Sequence, residues 1–454
     1  MEQKDYIDLE NPDFLEALEY LRNTRENLFL TGKAGTGKTT LLKYIKECFP
    51  GDIVVTAPTG IAAVNAGGVT LHSFFQLPFG PILPNDDRLM INRDSIKDSP
   101  IFHFFKYRSN KKKILKNLRL LIIDEISMVR ADVLDAIDTI MRAYCGDLDK
   151  PFGGKQVLFI GDNYQLPPVV DGGLERLLSN FYRSSFFFDS NVLTALPPKI
   201  INLQHIYRQS DDVFIDLLNS VRVNDISQPE LEKLNARYEP SFQPPENESY
   251  IIISTHNNVV DNINKSELAK LDSDLKAYQG EIEGNFNERD LPTKELLHLK
   301  LNSQVMFIKN DGDYPRKYYN GTIGKVIELG QNIVVQLDNG DEIVVSQNTW
   351  ENITYKWNDE KKTIDEEIVG QFTQYPIKLA WAVTVHKSQG LTFDKVILDL
   401  QNCFAAGQVY VALSRCRTFE GIVLKSKIPR KAIITSGNVM AFENREYFGK
   451  TIFG

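Results

Sequence analysis

Cysteine, positive charge and long apolar runs are all in short supply in this chain. The four cysteines, Cys48, Cys145, Cys403 and Cys416, lie far apart with no paired metal-ligand spacing. That excludes a disulfide scaffold or a zinc ribbon and reads as the reduced thiols of a cytosolic protein. No apolar run approaches the about 18 residues that a membrane span needs. Acidic residues outnumber basic ones, 60 to 52, for a formal net charge of −8. Composition therefore argues mildly against a nucleic-acid partner, although a narrow channel on an acidic protein can be locally positive. The first ten residues carry Glu2, Asp5, Asp8 and Glu10, the wrong sign for a secretory or organellar presequence, and a cytoplasmic location is expected. With 454 residues, 42% of them apolar, the chain exceeds one hydrophobic core, and two or more domains are expected.

What is present is a phosphate cradle. Gly32-Lys33-Ala34-Gly35-Thr36-Gly37-Lys38-Thr39 follows the apolar run Asn27-Leu28-Phe29-Leu30 and opens a helical pattern through Leu41, Leu42 and Ile45. Strand, glycine loop and helix in that order aim backbone N–H groups at phosphate oxygens. Glycine is needed where a β-carbon would obstruct them. The expected nucleotide-binding residues are Gly35, Thr36, Gly37, Lys38, Thr39 and Thr40. Lys38 would reach the β- and γ-phosphates, and the Thr39 hydroxyl would hold Mg²⁺.

Strand-like runs alternate with helical patterns from about residue 27 to 190, as a parallel α/β sheet demands. Ile53-Val54-Val55, Leu120-Leu121-Ile122-Ile123 and Val157-Leu158-Phe159-Ile160 suit strands buried on both faces. Val133, Ile137, Ile140 and Met141 fall at helical spacing, with Asp132, Asp135 and Asp138 largely on the opposite side. Residues 76–112 break the pattern with Pro78, Pro81 and Pro84, several aromatics and then Lys111-Lys112-Lys113, and read as an insertion. The basic run reads as a solvated loop, with duplex contact as the minority alternative. A second α/β pattern starts near 191, and the proline-rich stretch 225–249 reads as a surface connection. From about 296 to 373 the period becomes two, and Asn339-Gly340 between apolar runs signals a hairpin.

Leu121-Ile122-Ile123-Asp124-Glu125 is an apolar strand ending in two carboxylates. Asp124 would bind Mg²⁺, and Glu125 would take a proton from, or orient, the attacking water. Gln165, after the next buried run, is either a sensor of the γ-phosphate or part of a proline-stiffened turn. Arg208 and Arg415, in Ile206-Tyr207-Arg208-Gln209 and Ala412-Leu413-Ser414-Arg415, are candidates to stabilise charge on the γ-phosphoryl oxygens.

The order of these motifs resembles the petite-integration-frequency family of superfamily 1B helicases, with RecD-like relatives. Ala57 to Ala63 with Thr70 to Phe75 resembles the family's first DNA-contacting motif, and Glu125 to Val129 its signature after the acid pair. Ile253 to Asn257, Trp381 to Gly390 and Val409 to Arg415 resemble its later motifs. The resemblance implies an α/β fold of two RecA-like motor domains, 1–190 and 191–295 with 374–430. It also implies a wedge insertion at about 76–112, a small β-barrel insertion at 296–373 and a tail from 431. It implies ATP- and Mg²⁺-dependent movement 5′ to 3′ along single-stranded DNA, unwinding forked or structured DNA. Gln165, Arg208 and Arg415 become γ-phosphate contacts, Arg415 the arginine finger. The adenine-reading motif would fall around Asn11 to Phe14.

A motor that ignores sequence must hold phosphates and stack bases. The expected DNA contacts are Thr59, Gly60, Thr70, His72, Ser73 and Phe74 in the first domain. In the second they are His256, Asn257, Thr384, His386, Lys387 and Ser388. Phe74 could equally be core. A monomer is expected in the absence of DNA. Two other readings stay open: a DNA-stimulated remodeller that barely unwinds, and a nucleotide switch. Against the switch, Asn264-Lys265-Ser266-Glu267 carries the wrong acid for a guanine-reading motif.

Overall fold

The computed structural model describes residues 8–452 except 52, 79, 210, 246–247, 289–290, 312–315, 331, 401–402 and 404. Glu2, Asp5 and the last two residues of the tail lie outside the described residues. Two compact units are present. The first comprises Met1–Asn163, Pro167–Tyr207 and Glu351–Gly370; the second comprises Tyr164–Leu166, Arg208–Trp350 and Gln371–Gly454. Among the described residues no helix is long and apolar enough to cross a membrane.

In the first unit, β1 (Leu28–Gly32), β2 (Ile53–Ala57), β3 (Val69–Thr70), β4 (Leu120–Ile123), β5 (Gln156–Ile160) and β6 (Lys199–Leu203) form one parallel sheet. Its order is β3-β2-β4-β5-β1-β6. β1, β2, β4 and β5 are buried along their whole length, which is why they read as unbroken apolar runs. Helices Pro12–Asn23 and Lys38–Cys48 cover the sheet, seating Phe14, Leu18, Leu21, Leu41, Leu42 and Ile45 in one core. Because the strands are parallel, the turns after β1, β4 and β5 leave the same edge, where α/β sheets build their sites.

In helix Ala131–Cys145 the aspartates set off from the apolar positions are themselves packed: Asp132 and Asp138 are buried. Asp132 accepts from Arg130 at 2.8 Å and from the Ile82 N–H at 2.9 Å. Asp135 accepts from the N–H groups of Asn191 and Val192, and Asp138 from Arg142 and the Phe152 N–H. Each carboxylate replaces lost water with N–H donors, as a buried charge must, and so pins an irregular segment to the helix. The insertion is likewise packed, with Ile82, Leu89, Ile101, Phe105 and Tyr107 buried. Its Lys111-Lys112-Lys113 run opens helix Ser109–Asn117 rather than a loop.

In the second unit a parallel strand, β7 (Ile251–Ser254), precedes a run of ten strands, two of which lie mostly in the Glu351–Gly370 stretch of the first unit. These are β8 (Lys276–Gln279), β9 (Glu281–Gly284), β10 (Leu296–Leu299), β11 (Gln304–Phe307), β12 (Ile323–Leu329), β13 (Ile333–Leu337), β14 (Glu342–Val345), β15 (Asn348–Asn358), β16 (Thr363–Gln374) and β17 (Ile377–Leu379). They make sheets of order β14-β13-β12-β11-β17, β15-β16-β9 and β10-β8. Leu297, Val305, Phe307, Val326, Val335 and Ile377, from β10, β11, β12, β13 and β17, share one core. Gly340, at φ 89°, supplies the left-handed turn residue of the β13–β14 hairpin. The antiparallel strands thus begin at Lys276, earlier than the change of period suggests. Ile377, inside the 374–430 segment expected to belong to the second motor domain, pairs antiparallel with Phe307. The chain then returns to the parallel sheet through β18 (Ala382–Thr384), β19 (Val396–Asp399) and β20 (Ile422–Leu424), in the order β18-β7-β19-β20.

The stretch 225–249 also differs from expectation, since it holds helix Gln228–Asn235. Ser227 and Glu230 form a capping box, and Pro229 stands in the first turn, where a missing N–H costs nothing. Asn264, in helix Asn257–Lys270, bonds both the N–H and the C=O of Ala382 at 3.0 and 2.9 Å. It clips the helix to β18 rather than reading a base.

Candidate nucleotide and nucleic-acid sites

β1 runs into the glycine loop of the first unit. Gly35 and Gly37 take φ of 85° and 83°, which L-residues avoid, and a β-carbon at Gly37 would stand 3.0 Å from the Phe14 ring. Gly37 has no side chain to cap helix Lys38–Cys48, so its first turn presents N–H groups to an anion. The Thr36 hydroxyl donates to the Lys33 carbonyl at 3.0 Å, bracing the loop. Lys38 donates through Nζ to the carbonyls of Gly32 and Lys33 at 2.7 and 2.9 Å. Thr39 is exposed and Thr40 half-buried on that first turn.

Asp124 and Glu125 follow β4. Burial pushes the Asp124 carboxyl up to about 6, against the opposing pull of the Glu125 N–H and the Lys38 ammonium. Glu125 sits at φ 50°, a left-handed conformation uncommon outside glycine. Such strain persists where neighbours over-determine it, and it clusters at functional turns. Lys38 and the acid pair are thus brought together within one unit.

In the second unit the three residues expected at the γ-phosphate converge on the loop that follows β18. The Gln389 side-chain amide donates to the Gln165 Oε1 at 3.0 Å. Arg208 donates to the Gly390 carbonyl at 3.4 Å. Arg415, only 1% exposed, donates to the carbonyls of Ser388 and Leu391 at 3.3 Å, to Val411 and to the Ser414 hydroxyl. Burial, with Arg417 adding, pushes the Arg208 guanidinium down to about 10. Gln165 and both arginines therefore share one short stretch, 388–391, with the loop expected to touch DNA.

The expected DNA contacts divide into two kinds. Thr59 and Thr70 cap short helices by accepting from the N–H groups of Ala62 and Ser73. Thr59, Ser73, His256, Asn257, His386 and Lys387 are exposed, and Gly60, Thr70 and His72 half-buried. The Thr255 hydroxyl bonds His256 Nδ1 at 2.7 Å. The side chains of Phe74, Thr384 and Ser388 differ from the expectation, since they are buried. Phe74, 6% exposed, packs edge-on against Phe75 and Tyr355 beneath the Lys111 ammonium. Thr384 accepts from the Lys387 N–H, and Ser388 donates to the Val385 carbonyl. These three shape the loops from within.

Two features escaped the sequence reading. The Tyr207 N–H donates to the Gly35 carbonyl at 2.9 Å, and its exposed ring lies beside Phe14 and His205. Asn11 caps helix Pro12–Asn23 through Asp13 and Phe14 and donates to the Tyr207 hydroxyl at 2.9 Å. Only an aromatic four residues beyond the edge strand β6 could have signalled this. Gln389 is the second, because an amide within Ser388-Gln389-Gly390 reads as ordinary loop polarity.

Comparison with known proteins accords with these features. A family model described as PIF1-like helicase matches residues 14–231. The ATP-dependent DNA helicase Pif1 of Bdellovibrio bacteriovorus is 31% identical over 436 residues, covering 93% of this chain and 89% of that protein. Mouse PIF1 is 32% identical over 411 residues, 87% of this chain but only 57% of its own length. The crystal structure of Bacteroides sp Pif1 in complex with ADP-AlF4 superposes with a TM-score of 0.88 at 40% identity, covering 98% of each chain. Bacteroides Pif1 bound to ssDNA superposes at 0.67, again with 40% identity and 98% of each chain covered. Two α/β units with a phosphate loop in the first, matched along nearly the whole length, place this chain in the Pif1-like helicase family.

Proposed function

We propose that the chain is an ATP-dependent DNA helicase that moves 5′ to 3′ along single-stranded DNA and separates duplex ahead of it. The observation that carries the reading is the convergence of Gln165, Arg208 and Arg415 on residues 388–391. Groups that would sense the γ-phosphate thereby share a loop with groups that would grip a strand. A change at either end has a short covalent and hydrogen-bonded route to the other.

On this reading Lys38 leaves the Gly32 and Lys33 carbonyls for the β- and γ-phosphates, and the first-turn N–H groups of helix Lys38–Cys48 hold the phosphate oxygens. Glu125 orients the attacking water and accepts its proton. Arg208 and Arg415 stabilise the charge that develops on the γ-phosphoryl oxygens. Tyr207 and Asn11 form a platform for the base. Thr39 and Asp124 would hold Mg²⁺, which would neutralise phosphate charge. A hydroxyl and a carboxylate beside a phosphate cradle suit an ion held by one or two protein oxygens together with substrate phosphates. DNA phosphates would lie on Thr59, Gly60, Thr70, Ser73, Asn257 and Lys387, with His72, His256 and His386 beside the bases, while Phe74, Thr384 and Ser388 position those loops. The four unpaired cysteines suit a reducing, cytoplasmic setting, and the reading takes the chain to be a monomer before DNA is engaged.

Partial duplexes carrying either a 5′ or a 3′ single-stranded tail test this. ATP-driven strand separation on the 5′-tailed substrate alone is expected. Unwinding of only the 3′-tailed substrate reverses the polarity, and ATP consumption without separation favours the remodeller.

A further inference from the structure

Positive charge is dense in one stretch of this acidic chain. Between Ser99 and Ile123 there are seven Lys and Arg and no Asp or Glu, in a protein of net charge −8. Helix Ser109–Asn117 carries the centre of that run. One of its lysines, Lys111, is turned onto the Phe74 ring. Other residues of the helix line an open cleft of about 480 Å³ in the first unit, which Lys112, Lys113 and Lys116 share with Phe102 and Tyr144.

The cleft combines free cations with ring surface. Lys113 is held by Asp359 at 2.6 Å. Lys112 and Lys116 are exposed and make no ion pair among the described residues. They stand one helical turn apart, with Cβ atoms about 6 Å from each other. Phe102 meets Tyr144 edge-on at 5.0 Å, and the Lys112 ammonium lies 5.9 Å from the Tyr144 ring. Tyr144 is fixed by donating its hydroxyl to the Phe105 carbonyl. Cations flanking a fixed aromatic pair are the means by which proteins hold unpaired nucleic acid without reading sequence. A duplex keeps its bases stacked away from such rings, whereas a single strand can lay one against them.

We propose that this cleft binds an unpaired stretch of nucleic acid outside the strand held by the motor loops, its phosphates on Lys112 and Lys116 and a base against the Phe102–Tyr144 pair. The inference rests on the helicase reading and deepens it. It adds a hold on the second arm of a fork. Attachment at that arm would keep the parted strand from closing again.

The test compares the full chain with K112E/K116E and with K112R/K116R. Binding is measured over a salt series on a fork with two unpaired arms and on a duplex with the 5′ arm only. The parent should bind the two-armed fork more tightly. K112E/K116E should lose that preference, and its slope of log affinity against log salt on the fork should fall by about 1.4, two phosphates at about 0.7 each. K112R/K116R should keep both, and hydrolysis stimulated by single-stranded DNA should stay at the parent's level in every variant. An unchanged slope and preference in K112E/K116E overturns the proposal. An equal loss on the one-armed duplex also overturns it, because the site would then serve paired DNA. Failure of the helicase reading is seen separately, as a parent protein that separates no strands with ATP.

Discussion

Each unit is built on a buried parallel sheet, yet the turns leaving the two sheets are made of different chemistry. In the first unit β1 runs into glycines and Lys38, and β4 into Asp124 and Glu125. In the second, β7 runs into Thr255-His256-Asn257, with no glycine loop, and β18 into a turn tied to Gln165, Arg208 and Arg415. The scaffold supplies an edge where backbone ends meet, and the loops decide what that edge does. On the proposed reading the first unit's turns supply the chemistry and the second unit's turns supply the sensor and the grip.

That contrast can be broken from either side. Lys38→Ala strikes the first unit and should have the largest effect, with ATP turnover lost by on the order of 10²–10³-fold or more, measured as steady-state phosphate release. Glu125→Gln should leave nucleotide bound while turnover falls on the order of 10²–10⁴-fold. Hydrolysis at the parent's rate in that variant removes Glu125 from the base role. In the second unit, Arg415→Ala removes a guanidinium donor from the carbonyls of Val411, Ser388 and Leu391, the first two of which keep the Ser414 hydroxyl and the Leu391 N–H. Beyond reducing turnover, it should destabilise that unit by about 1–3 kcal/mol, read as a lower denaturant midpoint. The smallest effect concerns pH. Burial, with Lys387 adding, pushes the Lys378 ammonium down to about 8 from an ordinary 10.5. Between those values the unfolded chain binds more protons than the folded one, so this lysine makes stability rise with pH across that window. Lys378→Met should flatten the rise in melting temperature between pH 8 and 10.

The order of elements was legible because it rests on backbone rules. Continuous apolar runs became β2, β4 and β5, and the glycine spacing became the phosphate loop. What covers the aspartates of helix Ala131–Cys145 was not legible, because helical periodicity shows which residues share a face, not whether irregular backbone covers that face with N–H donors. Lys276 to Gly284 was missed because β8 and β9 are mostly exposed, and exposed strands lack an alternating apolar signal. Phe74 was undecidable from spacing, since its burial depends on Tyr355, 281 positions further along the chain. Most of the site lay in local motifs. Gln389 and Tyr207 did not, because their meaning comes from the groups the fold brings to them.

The proposed reading has the loop 388–391 carry information from nucleotide to strand. Gln389→Ala removes the side-chain link to Gln165 while leaving Lys38, Asp124 and Glu125 untouched. Hydrolysis without DNA should remain near the parent's rate, and the stimulation by single-stranded DNA should fall on the order of 5- to 30-fold. Full stimulation in the variant would contradict the account.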